Sequence, residues 1–214
     1  MKKIVLLIAL LVAGFSMNAQ NQEAYIKAMT KGLEAMGSAQ SQEDRVAVAS
    51  QFERIAAKVK DQWHAQYYAG LSYVMLSFNA ADLETNDSYT AKAQEFIDAA
   101  LKLAPNSAEI EALQGYNYMA QLAADPNSRG QRLSPKAMQH FGKALSLDSE
   151  NPRALALMAQ MKYGMAQFFN APTDEACDMV KKSLPIFDAE AKAESFDPTW
   201  GKSMAEGLVG QCNQ

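Results

Sequence analysis

The amino-acid sequence predicts an all-α fold in which helical hairpins stack as repeats. Apolar residues recur at helical spacing along the chain, and no segment alternates apolar and polar residues convincingly, as a strand would. Residues 93–106 recur as residues 137–150, at a constant offset of 44 residues. Both copies place small residues and one large apolar residue at matching helical positions. A fixed period of this size is typical of a stacked helical repeat, whose usual function is to bind another molecule.

The start of the chain resembles a secretory signal. Lys2 and Lys3 precede an apolar run, residues 4–15, and residues 16–19 supply a cleavage site. The run is too short for a comfortable membrane span, although an uncleaved anchor is the alternative. We therefore expect a signal peptide over residues 1–19 and a single exported domain over residues 20–214. This domain has no transmembrane span after cleavage, and we place it in the periplasm.

The charge of the chain excludes some classes of binding partner. The formal net charge is −4, and basic residues form no cluster. An acidic chain without a basic patch argues against binding to nucleic acid or to an anionic membrane surface.

Apolar periodicity and capping residues predict the helices in order. Asp61 is expected to cap the third helix, Asn151 and Pro152 to start the seventh, and Thr173 to cap the eighth, which Pro185 kinks or divides. Two polar stretches, residues 80–88 and 125–132, are expected to be loops, so that the sixth helix starts at Ser134 and Pro135. The first, second, third, fifth and ninth helices are predicted over residues 22–36, 41–59, 63–79, 108–123 and 199–212.

The two copies resemble the tetratricopeptide repeat (TPR), a helix–turn–helix unit. The residues that carry the resemblance in one repeat are Gly115, Tyr118, Ala137, Phe141 and Ala144. Those of the preceding repeat are Gly70, Tyr73, Ala93, Ile97, Ala100 and Pro105. The resemblance implies a right-handed α–α superhelix of helical hairpins, clearest over residues 63–105, 108–149 and 152–195. Because the period of 44 exceeds that of the family, we expect the extra residues in long loops between the helices of each hairpin.

The same resemblance implies a concave groove lined by the first helix of each repeat. The groove residues expected to bind a partner are His64, Tyr67, Leu71, Tyr116, Met119, Arg153, Gln160 and Tyr163. Aromatic and Met side chains suit an extended peptide or an apolar helix. These positions are also compatible with ordinary packing between helices.

We therefore expect an exported scaffold that binds a protein or peptide of unknown identity. The alternative is a periplasmic carrier of a small apolar ligand, held in a pocket between helices under Trp200 and Phe169. A structural subunit of an envelope assembly is a further alternative.

No residue pattern predicts an enzyme, a cofactor or a metal site. His64 and His140 have no other His or Cys near them in sequence. Residues 82–87 resemble a calcium loop, but Asp87 stands where Gly is required and Ala93 where the bidentate Glu should be. No nucleophile elbow, phosphate loop or dinucleotide motif occurs.

Cys177 and Cys212 are the only cysteines, and an exported protein with two cysteines suggests a disulfide. A straight hairpin that turns near residues 197–198 sets Cys212 opposite Ser183, roughly 8 Å from the required register. The kink at Pro185 could absorb this mismatch. A disulfide and two buried free thiols therefore both remain open.

Overall fold

The computed structural model describes residues 21–190 and 196–213. All regular structure in these residues is helical, which confirms the predicted all-α class. The helices are α1 (residues 21–38), α2 (Gln42–Lys58), α3 (Trp63–Ser77), α4 (Leu83–Leu103), α5 (Ala108–Ala124), α6 (Pro126–Leu147), α7 (Pro152–Phe168), α8 (Asp174–Ala189) and α9 (Lys202–Cys212). None of the helices described is long and apolar enough to cross a membrane. The expected signal peptide, residues 1–19, lies outside the described residues.

Helices pack as hairpins in two layers. The pairs α3–α4, α5–α6 and α7–α8 make the most extensive contacts, and each hairpin packs on the next. Helices α3, α5, α7 and α9, which we call the inner layer, also contact one another in sequence. Within the described residues, α4, α6 and α8 make no comparable contacts among themselves. Because only one layer is in continuous contact, the stack curves with the inner layer on its concave side.

Glycine lets the two helices of a hairpin approach closely. A Cβ atom on Gly115 would lie 2.4 Å from Cε1 of Phe141, and one on Gly70 would lie 3.2 Å from Cγ1 of Ile97. Both apolar partners are fully buried. The repeated sequence positions therefore form the same contact in two successive hairpins.

The expectation of long loops within the hairpins is wrong. Helix α4 begins at Leu83 and α6 at Pro126, so most of residues 80–88 and 125–132 is helical. The reason is capping: the side chain of Asp82 accepts a hydrogen bond from the amide of Thr85, and Asp125 accepts one from the amide of Ser128. The residues beyond the usual period lengthen α4 and α6, the second helices of two hairpins, to 21 and 22 residues.

Several other boundaries also differ from expectation. Pro135 lies inside α6 rather than at its start, and Pro185 lies inside α8. Helix α3 has Gln62, not Asp61, at its N-cap, and Thr173 at the N-cap of α8 makes no side-chain hydrogen bond there. The predicted cap of α7 is confirmed, because Asn151 accepts a hydrogen bond from the amide of Ala154 at 2.8 Å.

Substitution of Gly115 tests the close approach of α5 and α6. We expect Gly115→Ala to lower the free energy of unfolding by about 1–3 kcal/mol, because the new methyl group would overlap the buried ring of Phe141. The measurement is urea denaturation followed by circular dichroism.

Gly142→Ala is the matched control on α6, since nothing lies within 4 Å of its added Cβ atom. That change should be neutral or stabilise the protein by up to about 1 kcal/mol. Equal effects of the two substitutions would contradict the packing argument.

Candidate functional site

The inner layer brings the predicted groove residues to one side of the stack, but most of them are covered. Tyr67 and Leu71 have no exposed surface, and Tyr116, Met119 and Arg153 are buried. Of the remaining predicted residues, His64 and Tyr163 are half-buried and Gln160 is exposed.

The cover is a stretch of the chain itself, residues 196–201, which we call the C-terminal segment. The Phe196 ring packs edge-on against the rings of Tyr25 and His64, at centroid distances of 5.6 and 6.5 Å. Asp197 is 3.1 Å from Nε2 of His64, and its carbonyl accepts a hydrogen bond from the Tyr68 hydroxyl at 3.4 Å. The C-terminal segment thus crosses the inner layer from α1 and α3 towards α5.

Trp200 is the main anchor of the C-terminal segment. Its indole N–H donates a hydrogen bond to the Tyr67 hydroxyl at 2.8 Å, which satisfies a fully buried phenol. Its ring stacks on that of Tyr116, with centroids 5.5 Å apart and planes inclined by 21°. Such offset stacking contributes about 0.5–1.5 kcal/mol beyond the apolar area that it buries.

A buried ionic network around Arg153 holds the backbone carbonyl of Trp200. Arg153 is 3% exposed and pairs with Glu109 through Nε and Nη2, at 2.6 and 2.8 Å. It also pairs with Glu190 at the end of α8, and its Nη1 donates to the Trp200 carbonyl at 3.2 Å. Burial acts to lower the pKa of Arg153, but the hydrogen bonds to the two carboxylates outweigh it and raise the pKa further above its ordinary value. The guanidinium is therefore always charged.

Four side chains form a contiguous, partly accessible surface beside the C-terminal segment. We call Phe78, Tyr116, Trp200 and Met204 the aromatic cluster. Tyr116 is its floor: the Phe78 ring lies 5.0 Å from it, and its hydroxyl donates to the sulfur of Met204 at 3.6 Å. Phe78 is 40% exposed, and Trp200 and Met204 are half-buried. The cluster therefore combines three aromatic rings and a thioether at a partly exposed surface.

Sequence reasoning missed half of this cluster. Phe78 and Met204 lie at the ends of helices, where no repeat position marks them. The periodicity places Trp200 in a helix that starts at residue 199, but α9 begins only at Lys202. Pro198 is a usable signal, because the residue before a proline favours extended backbone.

The expected pocket under Trp200 and Phe169 does not form, because the two residues lie at opposite ends of α7. The Trp200 carbonyl contacts Arg153 in the first turn of α7, whereas Phe169 is the C-cap and is 70% exposed. A helix of 17 residues separates these ends by roughly 25 Å.

Cys177 and Cys212 form a disulfide, with their Cα atoms 5.7 Å apart. The expected mismatch in register required a tight turn near residue 197. Instead α8 ends at Ala189 and α9 begins at Lys202, so Cys177 in the first turn of α8 faces Cys212 at the end of α9. The sequence separation is 35, for which the chain-entropy model gives about 4 kcal/mol of stabilisation.

Each histidine lies within ion-pair distance of a carboxylate, and the two do not lie together in one site. His64 pairs with Asp197, and Nδ1 of His140 lies 2.7 Å from the buried Glu111 on the α5–α6 interface. In the part of the chain that the structure describes, no three His, Cys, Asp or Glu side chains come together as a metal site would require.

Removal of the Arg153 side chain tests the buried network. We expect Arg153→Met to lower the free energy of unfolding by about 3–5 kcal/mol, because two carboxylates lose their buried partner. Arg129→Met is the control: Arg129 pairs with the half-exposed Asp87, and its loss should cost about 1 kcal/mol or less. Denaturant unfolding measures both, and similar losses would argue against a special role for Arg153.

Alkaline titration tests the burial of Tyr116. Burial raises the pKa of this phenol from 10.0 to about 12. The folded state favours the neutral form, so this contribution to stability is complete below pH 10 and disappears as the pH rises through 12. We expect Tyr116→Phe to weaken the fall in unfolding free energy across this range. An unchanged slope would contradict the assignment.

Comparison with solved structures identifies the fold. The chain is similar to the HusA haemophore from Porphyromonas gingivalis, with a TM-score of 0.78 and 28% identity, covering 88% of this chain and 92% of that one. It is also similar to a thermophilic TPR protein of Thermus thermophilus, with a TM-score of 0.53 and 18% identity over 81% and 89% of the two chains. No protein-family model and no curated protein matches the sequence. The chain thus has the TPR-like, all-helical repeat fold that its sequence predicted.

Proposed function

We propose that the protein is an exported carrier that binds a planar apolar ligand of the haem class at the aromatic cluster. The observation that carries the proposal is the similarity to the HusA haemophore over nearly the whole length of both chains. The signal peptide expected over residues 1–19 supports export. The function is one of binding, and no chemical step is assigned to it.

The aromatic cluster suits the face of a porphyrin ring. Phe78 and Trp200 flank the buried Tyr116 ring and are themselves partly exposed. Aromatic faces attract a flat, delocalised ligand through offset stacking. Met204 adds a flexible, polarisable side chain that adapts to the edge of such a ligand. This combination favours recognition of shape and apolar area.

The surrounding charges favour a ligand whose carboxylates face solvent. Arg153, the charged group next to Trp200, already pairs with Glu109 and Glu190. It therefore has little attraction left for the carboxylates of a porphyrin. We place the apolar part of the ring on the cluster and the propionates at its open edge.

Ring contacts rather than iron ligation would supply the affinity. His64 is held by Asp197, and His140 pairs with Glu111 away from the aromatic cluster. Neither imidazole belongs to that cluster, and its two other groups of a kind that can ligate haem iron, the Tyr116 hydroxyl and the Met204 sulfur, are hydrogen-bonded to each other. Metal-free protoporphyrin IX should therefore bind with an affinity similar to that of haemin.

A ligand titration tests the proposal. We expect haemin to give a saturable shift of its Soret band with the wild-type protein, and Phe78→Ala to weaken binding about tenfold, because one stacking face is lost. Phe168→Ala is the matched control, since Phe168 is 67% exposed at the end of α7 and its ring packs on Phe169.

Two results would count against the proposal. A wild-type protein that gives no saturable shift with either porphyrin excludes the haem class. An equal loss in Phe78→Ala and Phe168→Ala places the ligand away from the aromatic cluster.

A further inference from the structure

The aromatic cluster is divided between two parts of the molecule. Phe78 and Tyr116 belong to the repeat stack, at the end of α3 and in α5. Trp200 and Met204 belong to residues 196–213. This stretch contains the C-terminal segment and α9, and we call it the C-terminal unit. The two halves meet through the Tyr116–Trp200 stacking and the hydrogen bond from Tyr116 to Met204. The position of the C-terminal unit therefore decides whether the ligand surface is complete.

Helix α9 is a weak helix by its own sequence. It has 11 residues, which is short for independent stability in water. Gly207 and Gly210 lie in its interior, and both lower helix propensity. Neither glycine serves close packing, because nothing lies within 4 Å of an added Cβ atom at either position. The helix must be held in place from outside.

Non-covalent contacts hold mainly the start of the C-terminal unit. Trp200 bonds to Tyr67 and to Arg153, whereas the buried residues of α9 are Ala205 and Leu208, which belong to one apolar cluster with Val180 and Phe187 of α8. Lys202 pairs with Asp188 at the surface, where both side chains are about half exposed and an ion pair contributes little. The end of α9 is held by the disulfide, because Cys212 is its last residue.

We propose that the Cys177–Cys212 disulfide controls ligand binding by keeping helix α9, with Met204, on the aromatic cluster. An exogenous dithiol reduces the bond: one of its sulfurs attacks a cysteine sulfur, the second closes the dithiol's own disulfide, and both cysteines leave as thiols. Helix α9 then frays from its free end and Met204 leaves Tyr116, whereas Trp200 keeps its bonds to Tyr67 and Arg153. The cluster is then incomplete and binds the ligand more weakly. This inference rests on the proposed carrier function.

The consequence is that binding is restricted to an oxidising compartment. A chain that still resides in reducing surroundings has an incomplete cluster and a weak affinity. Oxidation after export completes the site. Conversely, a reducing partner would discharge the ligand without any change in the repeat stack.

The test measures ligand affinity and the state of α9 separately. Metal-free protoporphyrin IX is titrated, by fluorescence, into oxidised wild-type protein, into protein reduced with dithiothreitol, and into the Cys177→Ser/Cys212→Ser variant. We expect at least a tenfold weaker affinity in the last two. The reductant should leave the variant unchanged, and reoxidation of the wild-type protein should restore its affinity.

Hydrogen exchange provides the readout that does not depend on ligand. Reduction should increase exchange in α9 and leave α5 protected. Met204→Ala, which keeps the disulfide, should weaken binding while exchange in α9 stays slow, because it removes a cluster member without releasing the helix.

The outcomes separate the two proposals. If oxidised protein binds no porphyrin, the carrier function fails, and exchange in α9 still shows whether the disulfide holds the helix. If oxidised and reduced proteins bind equally, or if α9 exchanges equally in both, control by the disulfide is overturned. Loss of helical circular dichroism throughout the reduced protein would also overturn it, since the inference requires an intact repeat stack.

Discussion

The rest of the inner layer depends on the ion pairs and hydrogen bonds of the buried Arg153 guanidinium. The guanidinium joins Glu109 at the start of α5, Glu190 at the end of α8 and the carbonyl of Trp200. Buried charges are tolerated only when they are paired and hydrogen-bonded, and here the guanidinium has partners on three different elements. One side chain thereby fixes the spacing of successive repeats and the course of the C-terminal segment across them.

Departures from the repeat create the site. Glu109 and Arg153 occupy the same position in successive repeats, 44 residues apart, and His64 stands at that position in the repeat before them. In an ideal repeat array these positions would be alike. Here one is anionic, one cationic and one an imidazole that pairs with Asp197. The counterpart of Tyr67 in α5 is Ala112. The Tyr67 hydroxyl meets Trp200, whereas Ala112 is buried in a cluster with Ala144 and Ala154.

The sequence predicted the fold well because the features that define it are local and repeated. The pairs Gly70–Ile97 and Gly115–Phe141 mark close helix contacts, and Asn151 marks a cap. It predicted groove residues that lie in the inner-layer helices, but not that Tyr67 and Tyr116 are covered. Their cover comes from a segment more than 80 residues away in the chain, and no periodic pattern reports such a contact. The lengths of α4 and α6 were not predicted, because Asp82 and Asp125 lie in polar stretches typical of loops. Each of them in fact caps a helix.

The occupied inner layer favours a carrier over an open peptide groove. A peptide that used Tyr67 and Arg153 would have to displace Trp200, expose a stacked indole, leave the Tyr67 hydroxyl without its donor and remove the Trp200 carbonyl from Arg153. Unpaired buried polar groups of this kind cost about 1–3 kcal/mol each. A flat ligand that approaches Phe78 and Met204 meets surface that is already accessible, and it gains contact area without breaking any of these bonds. In the proposed carrier, the C-terminal segment is thus a wall of the binding site rather than an obstacle in it.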